Sequence, residues 1–187
     1  MTGFPGSPRV ARASLLALDA STGAPLQRVT LQYNPDQLTR SLQLDADPQR
    51  AGLPPAETYR LELELDATDA LEKGGPADAV AVQLAALEAL VHPTSDALAS
   101  ARQLAARGTL ELLAPDPPRL LLVFGGRSVP VRISEYSVVE EAFGPDLQPI
   151  RARVTLGLRV QTDTDQFFSY RRTREQLAGR AGRGGNQ

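Results

Sequence analysis

Two segments of the chain alternate apolar and polar residues without a break, and they constrain the fold more than any other feature. In residues 59–66, Tyr and Leu occupy every second position and charged or acidic residues lie between them. In residues 150–161, aliphatic residues alternate with a second set that includes three arginines. Successive side chains of a strand point to opposite faces, so each segment predicts a long strand with one buried and one solvated face.

Other strands follow from shorter patterns of the same period. Leu16 and Leu18 predict a first strand, which a turn at 21–25 joins to a second strand. Val129, Val131 and Ile133 alternate, after which the phase slips by one residue and Tyr136 and Val138 continue the apolar face. A one-residue slip within a long strand is typical of a β-bulge. The Gly-Pro-Asp turn at 144–146 then completes a long C-terminal hairpin.

The middle and the end of the chain have helical patterns. Val80, Leu84, Leu87 and Val91 share one face of a helix, with Pro76 in its first turn and His92-Pro93 at its end. Residues 96–107 predict a second short helix, and residues 163–178 a polar one. From Gly179 the glycine-rich composition predicts an irregular end. The fold class is therefore a β-rich α+β protein, organised as an arm (1–12), one domain (13–162) and an Arg-rich polar tail (163–187).

Composition excludes several classes of function. The chain has no cysteine, so disulfide frameworks and thiolate chemistry are absent. The net charge of −2 argues against nucleic-acid binding. No apolar run is long enough to span a membrane and the first residues do not resemble a secretory signal, so we expect a cytoplasmic protein without direct membrane insertion.

Catalytic and metal-binding motifs are also missing. His92 is the only histidine, so a Ser-His-Asp triad would need it, and its place before a proline indicates a helix terminus. Asp163 and Asp165 have the spacing that begins a calcium loop, but the glycine and the distal glutamate are lacking. We therefore predict no catalytic, cofactor or metal site, and a protein that is not an enzyme.

The charged residues instead suggest surfaces for protein contacts. Lys73 is the only lysine, and arginine presents a planar donor fork that suits protein interfaces. On the outward side of the hairpin we expect arginines to pair with acids, within or between subunits. In the tail, an aromatic group followed by arginines could anchor on a partner or simply keep the terminus soluble. The candidate interface residues are Arg132, Arg151, Arg153, Arg159, Glu62, Glu64, Phe167, Phe168, Tyr170, Arg171, Arg172 and Arg174.

Three segments have a familiar order. The first is Leu31-Gln32-Tyr33-Asn34-Pro35, the second is the helical block at 90–110, and the third is the hairpin with its turn Phe143-Gly144-Pro145-Asp146-Leu147-Gln148-Pro149-Ile150-Arg151-Ala152. Together they resemble the tube-protein domain of contractile injection systems, the family that includes bacterial phage-tail-like particles. The resemblance covers roughly residues 13–162, and the hairpin turn is its most specific part.

The resemblance implies a tail-tube-like β-sandwich or partial barrel with flanking helices, which assembles into a hexameric ring. It implies a structural subunit at the junction of inner tube and baseplate, with the inner tube protein, the spike hub and baseplate subunits as partners. Many members carry a C-terminal LysM module, whereas here the polar residues 163–187 follow the hairpin. The alternative is a tube cap or a cargo-loading adaptor of the same particle, and a cell-wall hydrolase is a third reading without a supporting motif.

Overall fold

The computed structural model describes residues 11–19, 22–45, 52–93, 95–107 and 118–183. The strands are β1 (Ser14–Leu18), β2 (Pro25–Thr30), β3 (Leu38–Gln43), β4 (Ala56–Asp66), β5 (Arg119–Phe124), β6 (Arg127–Phe143) and β7 (Pro149–Val160). The helices are α1 (Thr68–Glu72), α2 (Ala79–Glu88), α3 (Ser95–Ala106) and α4 (Asp165–Arg183).

All of these strands belong to one antiparallel sheet in the order β2-β1-β5-β6-β7-β4-β3. The meander β5-β6-β7 forms its centre, and the hairpins β1-β2 and β3-β4 flank it on either side. The predicted β-rich α+β class and the long C-terminal hairpin are confirmed. The two-sheet sandwich that we allowed is not what forms, because the described strands make a single sheet.

The core lies on one side of the sheet, which we call the inner face. Leu61 and Leu63 of β4 stand opposite Leu156 and Val154 of β7 in the strand register, and all four are almost fully buried. Helix α2 packs on β4 and β7, and α4 packs on β6. Three residues of the predicted helical face, Val80, Leu84 and Leu87, join this core, whereas α2 ends at Glu88 and Leu90 is buried instead of the predicted Val91. The opposite side of β4, β7 and β6, the outer face, is polar.

The predicted phase slip in β6 is a bulge. The pairing of β6 with β7 runs regularly to Ile133 opposite Leu158, then shifts so that Glu135 stands opposite Gly157. One extra residue in β6 therefore returns Tyr136 and Val138 to the inner face.

Side-chain amides from the segment after β2 tie the ends of the sheet together. The amide of Gln32 donates to the carbonyl oxygen of Asp66 (2.6 Å) and accepts from its N–H (3.0 Å). Asn34 bonds in the same way to the carbonyl of Ala11 (2.8 Å) and the N–H of Ala13 (2.9 Å). Each side-chain amide makes the two hydrogen bonds that a neighbouring strand would otherwise make. The bonds between Gln32 and Asp66 also bring the β2 end of the sheet next to the end of β4, which curves the sheet into a partial barrel.

Several local expectations were wrong. In β1, Leu15 and Ala17 face the core rather than Leu16, while the predicted Leu18 is also buried, so both faces of this strand are covered. Helix α2 begins at Ala79 instead of near Pro76, and the short helix α1 precedes it.

The end of the chain also departs from expectation. Helix α4 does not stop at Gly179 but continues to Arg183. This stretch contains Gly179 and Gly182, and an interior glycine costs about 1 kcal/mol relative to alanine, which the strong helix formers around them offset.

Candidate interaction surfaces

The outer face of β4, β7 and β6 carries a ladder of charged residues in register. Glu64 stands opposite Arg153, and Asp66 opposite Arg151, which in turn faces Glu141 on β6. Alternation along each strand puts these side chains on the same solvated side, where cross-strand neighbours of opposite charge attract. The outer face is therefore a patterned charged surface.

Arg151 forms the best-ordered contact of this ladder. Its Nε and Nη2 lie 3.0 and 2.9 Å from the Oδ2 of Asp66, and its Nε lies 3.9 Å from a Glu64 oxygen. Hydrogen bonds from Thr68, together with the Arg151 guanidinium, hold the pKa of Asp66 below its usual value. Asp66 thus stays charged at the end of β4, and it fixes one arginine of the predicted interface.

A second ion pair crosses over the middle strand β7. Arg60 on β4 and Glu135 on β6 meet at 2.9 Å although β7 lies between them. Both residues stand opposite Gly157, and a Cβ added there would lie 2.8 Å from the Cβ of Glu135 and 3.4 Å from the Oγ of Ser134. The bulge and the glycine together let the two charges approach across the strand.

The six predicted ladder residues fall into two groups. Arg151 pairs with Asp66 and with the predicted Glu64, and Arg153 lies 3.6 Å from Glu141. Arg132 stands directly opposite Arg159, so two positive charges are adjacent at the other end of the ladder. In the described part of the chain, neither Arg159 nor Glu62 forms an ion pair. All six lie on the outer face: Glu62, Glu64, Arg132, Arg151, Arg153 and Arg159.

The inner face contains a polar cluster that the sequence interpretation missed. The carboxylate of Glu57, in a residue only 4% exposed, accepts hydrogen bonds from Nε of Arg40 and from the hydroxyl of Tyr170 (2.7 Å). The hydroxyls of Tyr170 and Tyr59 are 3.0 Å apart, which extends the network along β4. Glu57 thus joins β3, β4 and α4 at one point.

Electrostatics keeps this cluster ionised. Burial opposes the charge on Glu57, yet hydrogen bonds from Arg40, Tyr170 and Tyr59 outweigh it and hold its pKa below the usual value. Burial, reinforced by the bond to Tyr170, raises the pKa of the Tyr59 hydroxyl far above its usual value. Arg40 and Glu57 are therefore a charge pair with neutral tyrosines as donors. The sequence did contain a signal for the position of Glu57. Extending the alternation of 59–65 back by two residues places Glu57 on the inner face.

Helix α4 divides into a buried beginning and a solvated remainder. Thr164 caps it by accepting from the N–H of Phe167 (3.2 Å). Phe167 and Tyr170 are buried against the sheet and belong to the core of this chain, so of the three aromatics considered as an anchor only Phe168 is exposed. The spacing i, i+3 of the two buried aromatics is the helical signal that the interpretation overlooked.

Beyond Tyr170 the helix is solvated on almost every side. Arg171 and Arg172 are exposed and Arg174 is half-buried, and Glu175 offers one partner, at 3.9 Å from Arg171. A helix that is polar on all sides either bridges two domains through solvent or is stabilised by pairs of charged side chains along its own surface. Its exposed arginines give this stretch a positive surface.

Within the described residues, no group of three His, Cys, Asp or Glu side chains is arranged to hold a metal ion. No helix in that part of the chain is long and apolar enough to cross a membrane. No known family model matches the sequence, and no curated protein matches it significantly.

Proposed function

We propose that the chain is a structural subunit of a contractile injection system or related phage-tail-like particle, and that it forms or joins a ring where the inner tube meets the baseplate. Its work is self-association and docking, not catalysis. The resemblance of the Asn-Pro segment and of the hairpin turn supports a role in such a particle. The surfaces described above support assembly with copies of the chain or with neighbouring proteins.

Exposed leucines on both edge strands carry the proposal. The sheet ends in β2 and β3 among the described strands, where Leu26 and Leu42 are largely exposed. An edge strand offers unpaired backbone donors and acceptors, and monomeric proteins usually protect it with charge or with short length. A neighbouring copy can cover such an edge by extending the sheet. Because β2 and β3 differ, the contact is heterologous and can close into a ring.

The outer-face ladder gives this contact its orientation. Arg132 and Arg159 concentrate positive charge at one end, and Glu62 adds negative charge elsewhere on the same face. Charges of this kind align partners and exclude wrong registers more than they add affinity. We therefore assign register selection between neighbours to the six ladder residues.

The test compares an edge variant with a matched surface variant. Leu42→Glu puts a charge on β3, and Leu104→Glu does the same on α3, where the leucine is similarly exposed. We expect sedimentation velocity to show concentration-dependent oligomers for the wild type and for Leu104→Glu, and weaker ones for Leu42→Glu. A wild-type chain that stays monomeric, and that does not co-purify with tube and hub proteins, contradicts the proposal.

A tube cap or cargo-loading adaptor is the second candidate, and the solvated half of α4 favours it. Changing Arg171, Arg172 and Arg180 to Gln removes exposed charge but leaves Phe167 and Tyr170 in the core. If the helix carries cargo, these changes abolish stoichiometric binding of an isolated effector and leave incorporation into particles intact. If it docks a neighbouring ring, they reduce incorporation instead.

A further inference from the structure

The tip of the β6–β7 hairpin presents apolar side chains on an unusual backbone. Leu147 is 78% exposed and Phe143 is 52% exposed. Leu147 and Ala142 both have positive φ, at 61° and 53°, a region that non-glycine residues rarely adopt. Backbone strain of this kind clusters at functional sites, where the surrounding structure maintains it.

Hydrogen bonds hold the tip in this shape. The N–H of Gly144 donates to the carbonyl of Gln148 (2.9 Å), and the N–H of Leu147 donates back to the carbonyl of Gly144 (3.0 Å). Asp146 accepts from the N–H of Gln148 at 3.3 Å. The loop is therefore built to direct Leu147 outward, with a carboxylate beside it.

An apolar groove lies along the seam between β2 and the end of β4. Helix α2 borders it, and its volume is about 220 Å³. The buried side chains of Leu31, Leu65 and Leu87 line it, and the exposed Val82 stands at its border. Arg28 on β2 also lines the groove.

We propose that the hairpin tip of one copy inserts Leu147 and Phe143 into the seam groove of a second copy. Leucine-sized apolar groups match the aliphatic lining, and Asp146 beside the tip complements Arg28 beside the groove. Leu147 remains exposed within its own chain, so its own groove does not take it up. An apolar projection and a complementary pocket on different parts of one molecule form a heterologous contact that closes as a ring or continues as a filament. The inference rests on the proposed self-assembly and adds a second contact to the pairing of edge strands.

Cysteine cross-linking tests the contact directly, because the chain has no cysteine of its own. Leu147→Cys and Val82→Cys are made in separate preparations, one of them isotope-labelled, and mixed under mild oxidation. A disulfide requires Cα atoms within about 7 Å, so it reports close approach. We expect mixed dimers to exceed the dimers of either variant alone by roughly tenfold. Leu104→Cys, mixed with Val82→Cys, is the control for random collision.

Charge variants give a second, independent readout. Leu147→Asp and Val82→Asp should each weaken self-association by roughly ten- to a hundredfold, the equivalent of one leucine burial lost. Mixed together, they should associate more strongly than either variant alone, because each pair then keeps one intact tip and one intact groove. Circular dichroism confirms that both variants remain folded.

The outcomes separate this contact from the wider proposal. If the wild type self-associates and Leu147→Asp does so equally well, or if tip-to-tip dimers dominate the cross-linking, the tip contact is wrong and self-assembly stands. If the wild type and all variants are monomeric at every concentration, both proposals fail.

Discussion

The inner and outer faces of strand β4 both carry glutamates, yet the two environments are opposite. On the inner face, Glu57 is buried and its carboxylate is bonded to Arg40 and Tyr170. On the outer face, Glu64 and Glu62 lie in solvent, where Glu64 has one distant arginine contact. An exposed pair gains little because water screens it, whereas a buried charge without its partners is costly.

The difference teaches where stability and recognition reside. The inner cluster binds α4 to the sheet, and the loss of any partner should lower stability. The outer ladder is solvated and contributes little to folding, and the proposed function assigns its charges to contacts with neighbours. The following substitutions test this division, from the largest expected effect to the smallest.

Glu57→Ala should lower the free energy of unfolding by about 3 kcal/mol, because it leaves Arg40 and the Tyr170 hydroxyl without their shared acceptor. Glu62→Ala, on the outer face of the same strand, should change it by less than about 0.5 kcal/mol. Urea denaturation followed by circular dichroism measures both. Equal losses would contradict the division between the faces.

The same cluster predicts a pH dependence. The folded-state pKa of Glu57 lies below its unfolded value, so its stabilisation is complete above about pH 4.3 and declines as pH falls through the folded pKa. Glu57→Gln removes this pH-dependent contribution to the free energy of unfolding. The wild type should therefore lose more stability than Glu57→Gln between neutral pH and the acid range, and parallel curves would argue against an ionised Glu57.

Gly157→Ala should cost about 2 kcal/mol, because the added methyl group overlaps Glu135 beside the bulge. Gly126→Ala is the matched control, since a Cβ there meets nothing within 4 Å. Thermal melting compares the two. A neutral Gly157→Ala would mean that the bulge yields easily and that the outer face is less fixed than described.

Tyr170→Phe should cost about 1 kcal/mol through loss of the hydrogen bond to Glu57. Tyr136 is the matched inner-face tyrosine: in the described part of the chain its buried hydroxyl has no hydrogen-bond partner, and burial together with the nearby Glu88 raises its pKa to about 12. Tyr136→Phe should therefore be neutral or stabilising in the same melting experiment. The reverse order of the two variants would contradict the network.

The smallest effect belongs to the pair that crosses β7. A double-mutant cycle of Arg60→Ala and Glu135→Ala should give a coupling energy of about 0.5 kcal/mol, because both side chains are about half exposed. The coupling should shrink in high salt. A coupling above about 2 kcal/mol would show that the outer face also stabilises the fold.

Alternation of period two was enough to predict β4, β7 and the bulge in β6, and the helical period was enough to predict most of the buried side of α2. Those patterns are local, and burial of one face enforces them. The pairing of β1 with β5 is not local, so its apolar phase was assigned to Leu16 and Leu18 although Leu15 and Ala17 meet the core.

The polar cluster escaped prediction for a different reason. A glutamate in an alternating strand is read as solvated unless its partners are known, and Arg40 and Tyr170 come from distant parts of the chain. The tip and its groove were also beyond reach, since positive φ at Leu147 and the seam beside Gln32 depend on tertiary structure.

The strand order has a consequence for synthesis on the ribosome. Strand β1 leaves the ribosome early, but Leu15 finds its neighbour Leu122 only after roughly 100 further residues, which takes about 5–20 s at typical rates of translation. Strand β4 likewise can pair with β7 only after the intervening chain and β7 have been synthesised. Both early hairpins are therefore exposed to other nascent chains for that interval, and a chaperone that shields them until β7 emerges should raise the yield of folded protein.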